Sequence, residues 1–395
     1  MRISTLTFQT NAVDQMDDLQ AALAKTQSQL ASGKRIQEAA DDPAGMAQLN
    51  QLGVQLSASQ QYATNQGTAS ANLTLEEQAL SDATNVLQSA RDLAVQANNA
   101  SLSSAQRQDI ATQLQQQLGQ LVSIGNRTDS NGNYLFSGYA AGTQPFTQTG
   151  NAVAYGGSDG VSQIQISANQ LVSGGDTGDG VFMNIPAGNG TFTTAAAAGN
   201  TGTGSIDGGS VTDLSQWTPD TYTIAFTSPT QYQVTDSLGN PVVSGAYSGG
   251  GEIAFKGIEV AVSGSPAAGD KFTVASAGQA SAFSTLSGLI STLSSTTLGS
   301  GQIASQIGGA LEQLDGAISH LGVVSATVGA RLNAVTAAGT TEQSVQMQLQ
   351  GSISQLSDVD YAAAVTQLSS QQVSLQAAQQ SYASIAKLSL FNYLS

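Results

Sequence analysis

The side chains able to do chemistry are few and scattered. There is no cysteine and one histidine, so disulfides, thiolate metal sites and cysteine nucleophiles are excluded. His320 sits between Ser319 and Leu321 inside an apolar seam. Without a second histidine it cannot join a His-based metal site, and its setting predicts partial burial at a helix interface. Glu76 and Glu77 are adjacent in a helical stretch, so their carboxylates diverge and read as a solvated face; Asp358 and Asp360 read the same way. The stretch "DTGDG" (176–180) lacks the spaced oxygen ligands and closing Glu of a calcium loop. "GGG" (249–251) precedes a strand pattern rather than a helix, which makes a poor phosphate cradle. "GSPAAG" fails the G-x-S-x-G pattern. These residues predict no catalytic group, no metal site and no cofactor.

The densest charge cluster is "SGKRIQEAADDPAG" (32–45), in a chain only 10% charged. Backbone physics explains part of it. Asp42 is a good N-cap, its carboxylate accepting from free N–H groups of the next turn. Pro43 then falls at the first helical position, where its missing N–H costs nothing. Gly33 is placed to stop the preceding helix. The segment therefore reads as a joint between two helices. Lys34, Arg35, Glu38 and Asp41 add charges of both signs there. Spacing leaves two readings open: solvated loop charge, or an ion-pair set locking subunits together.

The elements around the joint follow from composition, which changes twice. Residues 1 to about 137 are rich in Gln, Ala, Ser and Leu, with Pro43 the single proline. Residues from about 138 to 282 are rich in Gly, Thr and aromatics, and their bases are Lys256 and Lys271. From about 283 onward the first composition returns. Met16, Leu19, Leu23, Thr26 and Leu30 alternate spacings of three and four, and Leu49, Leu52 and Leu56 start a second stripe. Leu73, Leu80, Leu87 and Ala94 recur every seven residues, the coiled-coil period. Ile110, Leu114, Leu118 and Leu121 mark a third helix. Long seams run from Ile303 to Val335 and from Tyr361 to Leu388.

In the middle, "TYTIAFTS", "QYQVTDS" and "KFTVASA" alternate apolar and polar residues, as half-buried strands do. "GEIAFKGIEVAVSGSPAAGDKFTV" reads as strand, Gly break, strand, turn, strand, and "DSLGNPVVSG" holds a further turn. The low-complexity "TTAAAAGNTGTGS" (193–205) predicts a mobile surface loop.

An amphipathic helix must bury its stripe. The simplest solution pairs the two chain ends antiparallel. The expected fold is mainly α: an antiparallel long-helix, coiled-coil-like rod built from both ends, with an antiparallel β sandwich or barrel inserted between them. Both termini then lie at one pole and the β domain at the other. A net charge of −16 argues against nucleic acid or an anionic membrane as partner. No run approaches the roughly 18 apolar residues of a membrane span. The first residues lack the apolar core of a secretory signal, so a soluble chain without a cleavable signal peptide is the expectation.

The motifs carry a resemblance. "SGKRIQEAADDPAG" follows the joint "SSGxRIxxAxDDxAG" of bacterial flagellins, with Pro43 where flagellins commonly have Ala, and "LQSARDLAVQANNASLSSAQRQDI" (87–110) resembles their next helix. Three stretches are more similar to the hook-associated members of that family: "SNGNYLFSGYAAGTQPF" (130–146), "FKGIEVAVSGSPAAGDKF" (255–272) and the ending "AKLSLFNYLS" (386–395).

The resemblance implies a structural protein of the flagellum, extracellular, forming a ring between the hook side and the flagellin filament. It implies as partners further copies of the chain, another hook-associated protein, flagellin, a cytoplasmic export chaperone on the C-terminal helices, and the flagellar type III export apparatus. By position it divides the chain into an inner coiled-coil domain (1–43 and 350–395), a helical rod domain (44–137 and 283–349) and an outer β domain (138–282). Helix-mediated polymerisation would then place Leu19, Leu23, Leu30, Leu368, Leu375, Tyr382 and Leu388 at subunit contacts, with Arg35, Asp41 and Asp42 beside them. The terminal segments are expected to be largely disordered in the free monomer, since an isolated helix is marginal in water. The resemblance also puts Arg91 where flagellins meet a host innate-immune receptor; by itself Arg91 reads as a helix-surface charge. The rival readings are flagellin itself and a surface-displayed adhesin whose β domain stacks sugars on Trp217 and scattered Tyr.

Overall fold

A computed structural model describes the backbone of residues 5–394 and the side chains from residue 10 to 384. Among the described residues six α-helices carry it, α1 (Thr5–Ser32), α2 (Pro43–Ala97), α3 (Ser104–Gly125), α4 (Ala282–Ser294), α5 (Ser300–Ser357) and α6 (Tyr361–Leu394), with all strands and one short π-helical turn (Asp179–Met183) between α3 and α4. The helix, strand, helix order and the inserted antiparallel β region agree with the sequence reading. The chain separates into two compact units, 1–64 with 339–395, and 65–338. The cuts differ from the positional expectation of 43/44 and 349/350. The β insertion shares its unit with flanking helix because aromatic side chains tie them together.

In the unit 65–338, the seven-residue repeat is the core. Leu73, Leu80, Leu87 and Ala94 of α2 are at most 1% exposed. They share one apolar cluster with Ile110, Leu114, Leu118 and Leu121 of α3, Leu286 and Leu289 of α4, and Ile307, Leu314, Leu321 and Val328 of α5. Each fully buried Leu contributes about 1.5–3 kcal/mol. Ser103 caps α3 in a reciprocal pair with Gln106, and Ser281 caps α4 in the same way with Ser284.

The quoted "YLFSG…PF" stretch explains itself here. Phe136 and Phe146 pack with Phe182 and Phe283, ring centroids 4.9–5.7 Å apart. Gly138 has φ +65°, and a Cβ there would meet the carbonyl oxygens of Ser158 and Gly160, so only glycine fits this crossing.

The β region contains a five-stranded antiparallel sheet in the order 241–246, 231–235, 221–228, 271–276, 192–196. In a second sheet Ile258–Ser263 pairs with Glu252–Phe255 on one side and with the short strands Ser205–Ile206 and Ser210–Val211 on the other. Alternation places Tyr222, Ile224 and Phe226 of one sheet and Ile253, Phe255, Val260 and Val262 of the other in a common core. The break between 255 and 258 is a tight turn in which Lys256 and Gly257 both have positive φ, 49° and 73°.

Two expectations are corrected. The low-complexity segment is not a mobile loop: Phe192–Ala196 is an edge strand paired with Lys271–Ser276. The carboxylate of Asp270, 2% exposed, accepts from the N–H groups of Thr201 at 2.8 Å, Gly202 at 3.1 Å and Ala267 at 2.8 Å. Small Thr and Ala residues fit an edge strand because tertiary hydrogen bonds, not side-chain burial, hold it. Glu76 is not on a solvated face: it is 2% exposed, because α2 is enclosed on that side too. Further, α5 contains an 18-residue window apolar enough, at mean hydropathy 1.2, to cross a membrane by length and composition; 22% of the window is buried within the protein.

In the unit 1–64 with 339–395, α1 packs on α6. The two run antiparallel, since the end of α1 meets the start of α6 at the joint, where the Val359 N–H donates to the Gly33 carbonyl at 2.9 Å. Ser59 on α2 donates to Glu342 on α5 at 2.6 Å. Both end segments are helical where the sequence predicts disorder in the free monomer; each supplies the other with the neighbour that an isolated helix lacks.

Candidate functional site: the helix joint and the terminal helix pair

The joint between α1 and α2 is built as capping chemistry requires. Gly33 ends α1 with φ +72°. Asp42 accepts from the Gly45 N–H at 2.9 Å, and the Met46 N–H donates to the Asp42 carbonyl at 2.9 Å, so Pro43 opens α2 as expected. A Cβ on Gly45 would sit 2.5 Å from an Asp42 carboxylate oxygen and 2.6 Å from Ile36 Cδ1. That accounts for the glycine at the end of the motif, and Ile36 is the buried apolar pin of the joint.

Asp41, Asp42 and Arg35 of the joint find partners within the chain, while Glu38 is exposed. Lys25 Nζ lies 2.7 Å from Asp41 Oδ1. The other Asp41 oxygen accepts from the N–H groups of Gln37 at 3.0 Å and Glu38 at 3.1 Å. The hydrogen bond from Lys25, aided by those two, holds the Asp41 carboxyl at about 2, well below its ordinary value. Arg35 donates through Nη2 to the Leu356 carbonyl at 2.9 Å and through its backbone N–H to the Ser357 carbonyl at 2.6 Å. Its Nη1 lies 3.6 Å from Asp42. Arg35 thus closes the C-terminal end of α5, where free carbonyls carry partial negative charge.

Asp358 and Asp360 are not idle surface charges either. Asp360 caps α6, accepting from the N–H groups of Ala362 at 3.0 Å and Ala363 at 3.1 Å. Asp358 accepts from the hydroxyls of Ser354 and Ser357. Lys34 pairs with Asp358 as an isolated β-bridge. Two helix-to-helix turns, 33–42 and 358–360, are therefore bound to each other. The signal sequence reasoning missed was D-x-A-A at 360–363, a capping pattern before an apolar seam.

Beyond the joint, the predicted contact residues lie on the helix pair but are incompletely covered. Leu19, Leu23 and Leu30 on α1 and Leu368, Leu375 and Tyr382 on α6 are half-buried. Leu388 lies outside the described side chains. Tyr361, Val365 and Val373 are 58%, 51% and 66% exposed. The same unit leaves Val54 and Met347 exposed. Leu73, Leu80 and Leu87 of α2, by contrast, are fully covered.

Other candidates settle into structural roles. The His320 Nε2 lies 2.9 Å from the Gly180 carbonyl and the side chain is half-buried. Arg91 pairs with Asp315, with its Nε and Nη2 at 2.5 and 3.3 Å from the two carboxylate oxygens. Arg127 pairs with Asp82 at 2.7 Å. Among the described residues, no three Asp, Glu, Cys or His side chains converge as a metal cluster.

This architecture matches known families. Residues 3–141 match the bacterial flagellin N-terminal helical region, 305–394 the bacterial flagellin C-terminal helical region, and 195–276 the D2-like domain of flagellar hook-associated protein 1. The chain belongs to the bacterial flagellin family, among its hook-associated members. It is 35% identical over 185 residues to flagellar hook-associated protein 3 of Salmonella typhimurium, covering 47% of this chain and 58% of that protein. It thus spans about 58% of the length of the curated relatives it matches first. Hook-associated protein 3 of Legionella pneumophila is 33% identical with a TM-score of 0.73, over 78% of this chain and 98% of that one. A structure of the flagellar junction protein from Legionella pneumophila is 32% identical with a TM-score of 0.70, over 78% and 99%.

Proposed function

We propose that this chain is a structural subunit of the bacterial flagellum, extracellular and without enzymatic activity, polymerising through its terminal helices into the junction ring between hook and filament. The observation that carries the reading is the incomplete cover on α1 and α6. Their leucine stripes are half-buried and Val365 and Val373 stand in solvent. Exposed apolar rows of that kind mark protein–protein surfaces, and further copies of the same helix pair fit them. Leu19, Leu23, Leu30, Leu368, Leu375 and Tyr382, with Leu388 by sequence, form the proposed contact set. Arg35, Asp41 and Asp42 serve that contact by fixing the angle at which α1 leaves α2.

The similarity to hook-associated proteins, and to a protein named for the flagellar junction, supports the place in the assembly. The proposed partners are copies of this chain, a second hook-associated protein on the hook side, flagellin on the filament side, a cytoplasmic chaperone on the C-terminal helices, and the type III export apparatus. A chain without cysteine passes unfolded through an export channel with no risk of disulfide trapping. The domain division at about 43, 138, 282 and 350 belongs to the same proposal, as does the absence of cofactor, nucleic-acid and membrane partners.

A deletion strain tests this. The expected result is intact hooks, no filaments, and unassembled flagellin in the medium, restored by the wild-type gene. Normal filaments in the deletion strain would overturn the reading. Loss of the bulk of the sheared filament itself, with flagellin absent from the medium, would make the chain the filament subunit.

A further inference from the structure

Among the described residues, Glu76 is a buried carboxyl with neither oxygen hydrogen-bonded, whereas the buried carboxylates of Asp270 and Glu342 accept hydrogen bonds. It is 2% exposed, and neither of its oxygens meets a hydrogen-bond donor at good geometry. Its neighbours are charged. Asp176 stands beside it, but the two Asp176 oxygens are held by Arg331 in a bidentate pair at 2.8 and 3.0 Å. Glu77, next in the chain, accepts from the Ser325 hydroxyl at 2.6 Å. Arg331 therefore balances Asp176, and Glu76 is left as an unbalanced acid. Burial, then the charge of Asp176, push its carboxyl up to about 8, with Arg331 opposing.

Glu76 also lines a cavity of about 250 Å³. Further polar lining groups carry oxygen atoms: Asp129, Asn72, Asn133, Tyr134 and Ser162. Above Gly175, a point at the position of a Cβ would be 3.6 Å from Glu76 Oε2 and 3.7 Å from the Leu135 carbonyl oxygen, so these two oxygens face one open space. Asp129 holds its loop through the Asn131 and Asn133 N–H groups at 2.8 and 2.9 Å on one carboxylate oxygen, while the other takes only a longer contact, 3.2 Å, from the Asn133 side chain. The cavity is large enough for an ion with waters.

A buried carboxyl without a donor must be neutralised, by a proton or by a metal ion. We propose that this cavity is a site for a hard divalent cation of the Ca²⁺ type, held by Glu76 and Asp129 together with the Leu135 carbonyl, amide oxygens and water. Two carboxylates completed by neutral oxygens suit Ca²⁺, which accepts carbonyl and amide ligands and irregular geometry; thiolate- or imidazole-seeking metals find no ligand here. On binding, the Glu76 O–H bond breaks and its proton is released to solvent, and the two carboxylates of Glu76 and Asp129 together offset the two charges of the ion. The site pins the loop 129–135 and the turn at 174–175 onto α2, independently of whether the chain assembles at a flagellar junction.

Tyr134 lines the same cavity, which supplies a reporter. Full-length purified chain, stripped with chelator and held near pH 8, is titrated with Tb³⁺ under tyrosine excitation, then with Ca²⁺ as competitor; the thermal midpoint is measured with and without Ca²⁺. The expected result is sensitised emission that Ca²⁺ reverses, and a Ca²⁺-dependent rise in midpoint. Glu76→Gln should lower Ca²⁺ affinity by about tenfold or more while keeping the helical circular dichroism. Asp129→Asn is the second variant and should weaken binding without removing the buried acid. Absence of emission and of any Ca²⁺ shift would overturn the proposal and leave Glu76 neutralised by its proton. Equal binding by wild type and Glu76→Gln would overturn it as well.

Discussion

The half-covered leucines of α1 and α6 make a quantitative prediction. Consider Leu23→Ala, Leu368→Ala and Leu375→Ala together, all half-buried in the single chain. Full burial of a Leu stabilises by about 1.5–3 kcal/mol. Half of that, about 1 kcal/mol each, is already realised in the monomer, and about 1 kcal/mol each remains for assembly. The triple variant should therefore lose about 3 kcal/mol of association free energy per subunit, roughly a hundredfold in affinity at about 1.4 kcal/mol per tenfold. Leu80→Ala is the control. Leu80 is 1% exposed, and removing a fully buried Leu costs about 2–5 kcal/mol of folding stability while leaving the terminal surface untouched. The assay pairs thermal melting of purified chains with the amount of each variant retained on isolated hooks rather than released to the medium. Expected is a division: Leu80→Ala melts earlier, and what folds is retained; the triple variant melts with a smaller loss per site but is released. If the triple variant is retained on hooks like wild type, the terminal stripes are not the contact surface.

Three further outcomes follow from the joint and from Glu76. Asp42→Ala removes the cap on α2 and should cost about 1 kcal/mol, read by chemical denaturation, whereas Asp42→Asn should restore most of it. Asp41 has a folded value near 2 against an ordinary 3.8, so its contribution is complete above about 4 and is lost as pH falls toward 2; a carboxyl titration by NMR should show the low value, and Lys25→Met should raise it. In chelating buffer Glu76 is the opposite case, with a folded value near 8 against 4.5. The folded state then binds the extra proton, so the stability difference between wild type and Glu76→Gln should fall steadily from about pH 4.5 to 8 and level off above. A flat difference across that range would show Glu76 to be ionised in the fold.

Much of this protein is legible without coordinates, because helix and strand periodicities and caps are local. The Leu73–Leu80–Leu87 repeat, the Asp42–Pro43 start and the alternation in "TYTIAFTS" each follow from side chains within a turn or a pleat of one another, and each stands where local physics puts it. The candidate site was legible only as a joint. That Arg35 would close the end of α5, more than 300 positions away in the chain, is a fact of tertiary packing and leaves no mark in residues 32–45. Glu76 teaches the same lesson in reverse: as one of two adjacent acids it looks solvated, and only the enclosure of α2 by other elements takes its water away. The low-complexity segment 193–205 reads as a mobile loop because its order comes from Asp270 and from the neighbouring strand, not from its own side chains. Sequence alone determined which elements form and where they start. Tertiary structure decided which apolar stripes are covered and which charges are matched, because burial and electrostatic pairing depend on residues far apart in the chain, and local pattern carries no record of them.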